Sequence, residues 1–160
     1  TLYGACKASV ETLVHHYGAS GQLCAVTLRP PSIYGIARPI ENSKWYELIA
    51  RICGGEDVNA TGGSKTVHAS DVAAAAALLL EHDDSIAGET FNCCDGMISD
   101  FEVANLAKRL TGSRSKITGQ AKVAKHEIVT QKLQSLGMQF GGQELLEKTT
   151  AELISAIDNR

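Results

Sequence analysis

The sequence has no surplus of basic residues and few aromatic side chains. It contains 15 Lys and Arg against 18 Asp and Glu, which gives a net charge of −3, and only 5% of its residues are aromatic. Nucleic-acid-binding domains usually carry a basic patch, and proteins that bind single strands stack the bases on aromatic rings. The composition therefore gives no support to a nucleic acid as partner.

Long apolar runs are also missing. The longest, "VAAAAALLL" at residues 72–80, is well short of the about 18 residues that a membrane-spanning helix requires. The sequence therefore predicts no membrane partner.

The cysteines lack the spacing of a disulfide framework or a zinc site. There are five, an odd number, and no two of them form a CxxC pair. This pattern is typical of a reducing compartment, so we expect a cytoplasmic protein without a metal site. We interpret the adjacent Cys93 and Cys94 as small packing residues in a buried strand.

Phosphate-binding loops are absent as well. The sequence contains no GxGxxG after a predicted strand and no GxxxxGK[ST]. The segment "GASG" at residues 18–21 follows a predicted helix, so we interpret Gly18 and Gly21 as the residues that end that helix. The five histidines form no metal-binding pattern, and the adjacent His15 and His16 would point apart on a helix.

Helix and strand signals alternate along the chain, which predicts an α/β fold. The 160 residues are 44% apolar and 21% charged, as in one ordinary globular domain. Helices are predicted near residues 2–17, 43–53, 99–112, 130–136 and 143–157, and an alanine-rich helix that includes residues 73–77 is predicted to follow Ser70. Strands are predicted near residues 23–28, 65–69, 88–94 and 116–118.

Some helix boundaries can be predicted from single side chains. Ser99 and Glu102 have the spacing of a capping box, and Gly112 would end the same helix. Ser70 is predicted to cap the alanine-rich helix, with Asp71 favouring its positive end.

The opening segment "YGACK" contains a possible catalytic pair. Tyr3 and Lys7 are four residues apart, so they would be neighbours on one face of a helix. A nearby ammonium favours the phenolate form of a tyrosine, which can then exchange a proton with a substrate hydroxyl or carbonyl. The spacing by itself fits equally well a half-buried tyrosine beside a solvated lysine.

Further segments occur in a characteristic order. "YGACKASVE" is followed by "LRPPSIYG", "GGSKTVHASDVAAAAALLL", "GETFNCCDG" and "KLQSLGMQFGGQELLEKTTAEL". In this order the sequence resembles the extended short-chain dehydrogenase/reductase family, the NAD-dependent epimerase/dehydratase group, over nearly the whole chain.

The resemblance implies the C-terminal portion of a Rossmann-type doubly wound fold, together with the family's small substrate-binding region. In that family the Tyr-x-x-x-Lys helix follows the first five strands, so we expect a single truncated domain without the N-terminal cofactor half. Residues 1–35 would hold the catalytic helix and the following Rossmann strand. Residues 36–160 would form mainly the substrate-binding region, with one returning Rossmann strand near 88–94.

The resemblance also implies residue roles. Tyr3 matches the family's general acid/base, and Lys7 matches the lysine that binds the nicotinamide ribose and tunes the tyrosine. Pro30 and Ile33 match positions that lie against the nicotinamide. NAD or NADP is the expected cofactor of the complete enzyme, and we expect neither to bind this chain alone.

On the substrate side the sequence departs from the family pattern. Ser32 stands where nucleotide-sugar enzymes often have an asparagine that touches the substrate, and Lys44 matches a basic residue near cofactor or substrate. Ile36 replaces a frequent proline, and Ser64 replaces the arginine that commonly holds the substrate's diphosphate. These departures argue against a nucleotide-sugar substrate.

The resemblance therefore implies an NAD(P)-dependent oxidoreductase, epimerase or dehydratase. It would act at a secondary-alcohol or carbonyl carbon of a sugar-like or other small substrate, and this chain alone would be inactive. The alternatives are a non-enzymatic binding or regulatory protein of the same fold, and a self-associating remnant without cofactor. We expect a homodimer in which the partner covers the strand at residues 23–28, the first helix, or both. The apolar stripe of that helix consists of Leu2, Cys6, Leu13 and Tyr17.

Overall fold

The computed structural model describes residues 1–159, in which helices and short strands alternate. The helices are α1 (Leu2–Ala19), α2 (Tyr46–Cys53), α3 (Ala69–Glu81), α4 (Asp100–Thr111), α5 (Gln131–Gln134) and α6 (Gly142–Asp158). The strands are β1 (Thr27–Arg29), β2 (Ser32–Tyr34), β3 (Val58–Ala60), β4 (Gly63–His68), β5 (Thr90–Asn92), β6 (Gly96–Ser99) and β7 (Ile117–Gly119). The predicted α/β class is confirmed.

The strands pair in three small sheets, and most of the pairs are parallel. β1 pairs with β5, and β3 pairs with β7, both in parallel. β4 lies between β2, to which it is parallel, and β6, to which it is antiparallel. β5 lies within the segment 88–94 that the sequence predicts to be a strand.

Helix α1 packs closely against the loop before β5. A Cβ atom at Gly18 would lie 2.1 Å from the backbone nitrogen of Gly88, so only glycine permits this approach. His15 Nδ1 lies 3.1 Å from the carbonyl oxygen of Gly88. The helix continues to Ala19, so Gly18 lies inside it and makes this contact, contrary to the prediction that it ends the helix. Gly21, the other glycine predicted to end the helix, follows the C-cap Ser20 with φ of 70°.

Strand β1 starts later than the predicted range 23–28. Gly88 N–H donates to the carbonyl oxygen of Ala25 at 2.7 Å, and Thr27 N–H donates to that of Glu89 at 2.9 Å. Pairing with the β5 segment thus begins at Ala25, whereas Leu23 precedes it and is 57% exposed.

Two helix starts differ from the prediction. The helix predicted from residue 43 begins at Tyr46, because Trp45 has a left-handed backbone with φ of 67°. The predicted cap Ser70 is not the N-cap of α3; instead His68 Nδ1 accepts a hydrogen bond from Ser70 N–H at 3.1 Å. The imidazole nitrogen of His68 therefore makes the capping hydrogen bond that we predicted for the hydroxyl of Ser70.

The start of α4 confirms the predicted capping box. Ser99 Oγ accepts from Glu102 N–H at 3.2 Å, and Glu102 Oε2 accepts from Ser99 N–H at 2.8 Å. Gly112 ends the helix with φ of 67°, as predicted.

The buried apolar side chains form two clusters. One joins α2, α4 and α6 and includes Ile49, Val103 and Leu153, while the other packs under α3 and includes Phe91. Cys93 and Cys94 are buried, at 0% and 6% exposed, as expected of packing residues, but they follow β5, which ends at Asn92, rather than lying in the strand as predicted. Burial raises the pKa of the Cys93 thiol to about 11.

Among residues 1–159, no helix combines the length and apolarity needed to cross a membrane.

Candidate functional site

The predicted pair Tyr3 and Lys7 lies on one face of α1. Lys7 Nζ is 5.6 Å from the centroid of the Tyr3 ring, and the tyrosine side is open, since Tyr3 is 73% exposed. The helix begins at Thr1, whose Oγ1 accepts a hydrogen bond from Gly4 N–H at 3.2 Å. This cap places the pair in the first turns of the helix, where both side chains can reach a ligand.

An ion pair fixes α1 against the strands β1 and β5. Arg29 Nε donates to Glu11 Oε2 at 2.8 Å, a second hydrogen bond joins Arg29 Nη2 to Glu11 Oε1, and Thr90 Oγ1 donates to the same carboxylate at 3.3 Å. The hydrogen bonds from Arg29 lower the pKa of Glu11. Lys7 and Arg29 both line a shallow cavity of about 530 Å³ at this junction.

Ile33 and Lys44 lie together at the edge of a second depression. Ile33 belongs to β2 and is 46% exposed, and the depression that both residues line has a volume of about 200 Å³. Pro30, which is separated from β2 by Pro31, is half-buried.

The ammonium of Lys44 joins two strands of the central sheet. Lys44 Nζ donates to Ser32 Oγ at 2.8 Å on β2 and to Ser64 Oγ at 2.7 Å on β4. The structure therefore brings together Ser32 and Lys44, the two residues predicted on the substrate side, and adds Ser64. We call Ser32, Lys44 and Ser64 the lysine–serine cluster.

Trp45 and Asp100 lie next to Lys44 of the lysine–serine cluster. Lys44 Nζ lies 4.8 Å from the Trp45 ring centroid, and Trp45 Nε1 donates to Asp100 Oδ1 at 2.9 Å. Burial lowers the pKa of Lys44, and the charge of Asp100 opposes that change. Sequence reasoning missed both residues, although Trp45 is the single tryptophan of the chain and follows Lys44 directly.

Tyr34, on β2, is a buried neighbour of Trp45. It is 2% exposed, and its ring packs 5.3 Å from that of Trp45 and 5.0 Å from that of His68. Burial, followed by the charges of Asp95 and Asp71, raises the pKa of Tyr34 to about 12. The phenol stays protonated, and we interpret it as part of the support for β2.

The predicted site residues line two different places: Lys7 lines the cavity beside α1, whereas Ile33 and Lys44 line the depression beside β2. Tyr3 and Lys7 offer hydroxyl and ammonium donors, and the exposed Ile33 offers an apolar surface. The sequence contains no glycine-rich loop for the pyrophosphate. Within the described part of the chain, no group of His, Cys, Asp and Glu side chains could hold a metal ion.

Comparison with known proteins identifies a family match. The sequence model of the "NAD dependent epimerase/dehydratase family" matches residues 1–94. That range includes Tyr3, Lys7 and the whole lysine–serine cluster. Among curated proteins, none matches the chain significantly.

Solved structures show the same fold at low sequence identity. UDP-glucuronic acid 4-epimerase from Bacillus cereus, in complex with UDP-glucuronic acid and NAD, has a TM-score of 0.70 at 19% identity over 98% of this chain and 52% of its own. RMD from Pseudomonas aeruginosa, complexed with NADPH, has a TM-score of 0.73 at 18% identity over 99% of this chain and 56% of its own.

UDP-glucose 4-epimerase from Thermotoga maritima, with UDP-glucose, has a TM-score of 0.71 at 22% identity and covers 97% of this chain and 54% of its own. The chain thus spans about half the length of each of these structures.

Proposed function

Because the chain belongs to the NAD dependent epimerase/dehydratase family, we propose that it supplies the catalytic helix and the substrate-binding region of an NAD- or NADP-dependent oxidoreductase, epimerase or dehydratase. The reaction takes place at a secondary-alcohol or carbonyl carbon of a sugar-like or other small substrate. The observation that supports this most directly is the exposed Tyr3, with the Lys7 ammonium 5.6 Å from its ring.

Tyr3 is the general acid/base of the proposed reaction. Its hydroxyl takes the proton of a substrate alcohol when the carbon is oxidised, and returns the proton when a carbonyl is reduced. The positive charge of Lys7 stabilises the negative charge that develops on the phenol oxygen. Because both groups belong to one helix, the backbone fixes their separation before any ligand binds.

The cofactor side of the site consists of Tyr3, Lys7, Pro30 and Ile33. Structures that resemble this chain contain NAD or NADPH. Such a cofactor, when bound, accepts or donates the hydride. Lys7 would donate to ribose hydroxyls, while Pro30 and Ile33 would cover one face of the nicotinamide and exclude water from it.

The substrate side consists of Ser32 and Lys44. Lys44 Nζ is held between the Ser32 and Ser64 hydroxyls, so its position does not depend on a ligand. This fixed ammonium can orient a substrate relative to Tyr3.

The protein would be cytoplasmic, without nucleic-acid or membrane partners, and a homodimer.

We assign different roles to two consecutive parts of the chain. Residues 1–35 carry the catalytic helix α1 and strand β1, and residues 36–160 form mainly the substrate-binding region, to which β5 is the exception because it pairs with β1. The 160 residues alone would be inactive.

The test is expression of the complete reading frame that encodes this sequence. Its product should change the absorbance of NAD(P)H when it is supplied with secondary alcohols or the corresponding carbonyl compounds. A folded product that binds neither dinucleotide would contradict the proposal and favour a binding or regulatory protein of the same fold.

A further inference from the structure

The lysine–serine cluster can offer N–H and O–H hydrogen-bond donors to a ligand. Lys44 Nζ donates to both serine oxygens, at 2.8 Å to Ser32 and 2.7 Å to Ser64. An ammonium has three N–H donors and no acceptor, so one N–H remains. Each serine accepts from the lysine and therefore turns its own O–H elsewhere as a donor. Such a set of converging donors fits an acceptor group of a ligand.

The charge of the cluster indicates that this acceptor is anionic. Lys44 is half-buried, and within residues 1–159 its hydrogen bonds go to neutral hydroxyls and it forms no ion pair. Cations that leave water are normally paired with an anion. Asp100 lies near enough to act on Lys44, but its Oδ1 is held by Trp45 Nε1 at 2.9 Å. A ligand can supply the missing direct counter-ion.

The same features argue against a diphosphate. One ammonium cannot form the two parallel hydrogen bonds by which a guanidinium holds phosphate oxygens. The Asp100 carboxylate also acts on this site, and its negative charge disfavours a ligand group that carries several negative charges.

We propose that the lysine–serine cluster binds the single carboxylate of a small sugar acid or hydroxy acid, and that this protein does not act on a nucleoside diphosphate sugar. The inference rests on the proposed function, because it identifies the class of substrate that the same site accepts. The carboxylate contacts Lys44, Ser32 and Ser64, and the reacting alcohol is a separate group of the same molecule.

Trp45 makes the proposal measurable in the chain as it is. It is the single tryptophan, and the Lys44 ammonium lies 4.8 Å from its ring centroid, so a ligand at Lys44 should change its fluorescence. The probes are D-glucuronate, D-glucose and UDP at matched ionic strength. We expect a saturable change with D-glucuronate and none with D-glucose, while UDP should need at least about tenfold higher concentration.

Variants connect the signal with the cluster. Lys44→Met should weaken D-glucuronate binding about tenfold or more, since a charged hydrogen bond is lost, and Ser64→Ala should weaken it about two- to tenfold. Lys132→Met is the matched control, because Lys132 Nζ also lies 4.8 Å from an aromatic centroid, that of Phe91, and is paired with Glu89. It should leave binding unchanged. Circular dichroism checks the fold, and if Lys44→Met does not fold, Ser64→Ala provides the decisive comparison.

A double variant tests the charge argument in the opposite direction. Lys44→Met combined with Ser64→Arg returns a guanidinium to the site, and it should bind UDP more tightly than D-glucuronate. Saturable D-glucuronate binding that survives Lys44→Met, UDP binding tighter than D-glucuronate in the unchanged chain, or no response to D-glucuronate would each overturn the inference.

Failure of the inference is distinguishable from failure of the proposed function. The fluorescence titration needs no cofactor and no turnover. Lysine-dependent D-glucuronate binding without any dinucleotide reaction in the complete product would refute the proposed function alone. Turnover of a nucleoside diphosphate sugar would refute the substrate class alone.

Discussion

Lys7 lies one helical turn from Tyr3, with its Nζ 5.6 Å from the centre of the tyrosine ring. The four-residue spacing predicts this proximity, because residues i and i+4 share a helix face. The tyrosine is also exposed, which would be unusual for a packing residue but suits a group that must meet a ligand. The pair is therefore the first place to test chemistry.

Replacing Tyr3 by Phe should abolish proton transfer and leave the fold intact. Turnover by the complete enzyme should fall by about 10²–10⁴-fold, the usual contribution of general acid–base catalysis. Because Tyr3 is 73% exposed, the free energy of unfolding should hardly change. Tyr17→Phe, on the same helix, is the control. If the Tyr3→Phe variant is folded and keeps wild-type turnover, Tyr3 is not the general acid/base.

The 160-residue chain alone should not bind NAD(H) or NADP(H) with useful affinity. Its sequence has no glycine-rich loop, and the pyrophosphate of a dinucleotide normally depends on such a loop and the helix N-terminus behind it. Calorimetric titration measures this directly. Saturable binding in the micromolar range would be incompatible with the expectation.

Features that depend on neighbours in the sequence could be predicted, and features that depend on distant pairing could not. The capping box of Ser99 and Glu102 and the proximity of Tyr3 and Lys7 involve residues within one turn of a helix. By contrast, Lys44 reaches Ser64 because β2 and β4 pair in a particular register, which the spacing of residues does not reveal.

Backbone conformation is the other feature that could not be predicted from the sequence. Nothing in the composition around residue 45 indicates that a tryptophan adopts a left-handed conformation, which L-residues other than Gly, Asn and Asp seldom do. The tertiary hydrogen bond from Trp45 Nε1 to Asp100 accompanies that conformation. Likewise, Gly18 looks like a helix end until its contact with Gly88 is known.

Replacing Ser99 by Ala should destabilise the protein. Ser99 is fully buried and accepts from Glu102 N–H, and loss of such an N-cap costs about 0.5–2 kcal/mol. Ser9→Ala is the matched control, because Ser9 is exposed and its hydroxyl donates to the carbonyl oxygen of Ala5 in the same helix. Urea unfolding of both variants gives the comparison, and equal midpoints would mean that the capping box contributes nothing measurable.

Asp95→Asn should increase stability near neutral pH. Burial, and then the charge of Asp71, raises the pKa of Asp95 above its ordinary value of 3.8. A carboxyl group whose pKa is raised in the folded state binds its proton more tightly there, so stability falls as pH rises from about 3.8 through the folded pKa.

The asparagine keeps an oxygen that can accept from Gly142 N–H and removes the charge. The gain over wild type should therefore be present at pH 7 and vanish at pH 3. Thermal unfolding at the two pH values tests this, and a gain that is equal at both would not come from titration of Asp95.

The isolated chain should self-associate through α1. Three apolar side chains of this helix are open to water: Leu2 is 81% exposed, Val10 59% and Leu13 55%. Covering one large apolar side chain is worth about 1.5–3 kcal/mol, so burying several of them against a second copy can outweigh the cost of association. Light scattering on a size-exclusion column should show a dimer, and Leu13→Ser should shift it toward a monomer of 17.0 kDa. Leu80→Ser, at a leucine that is 86% exposed on α3, should leave the dimer unchanged. A folded wild-type monomer at about 10⁻⁵ M, a concentration at which specific interfaces stay closed, would refute the prediction.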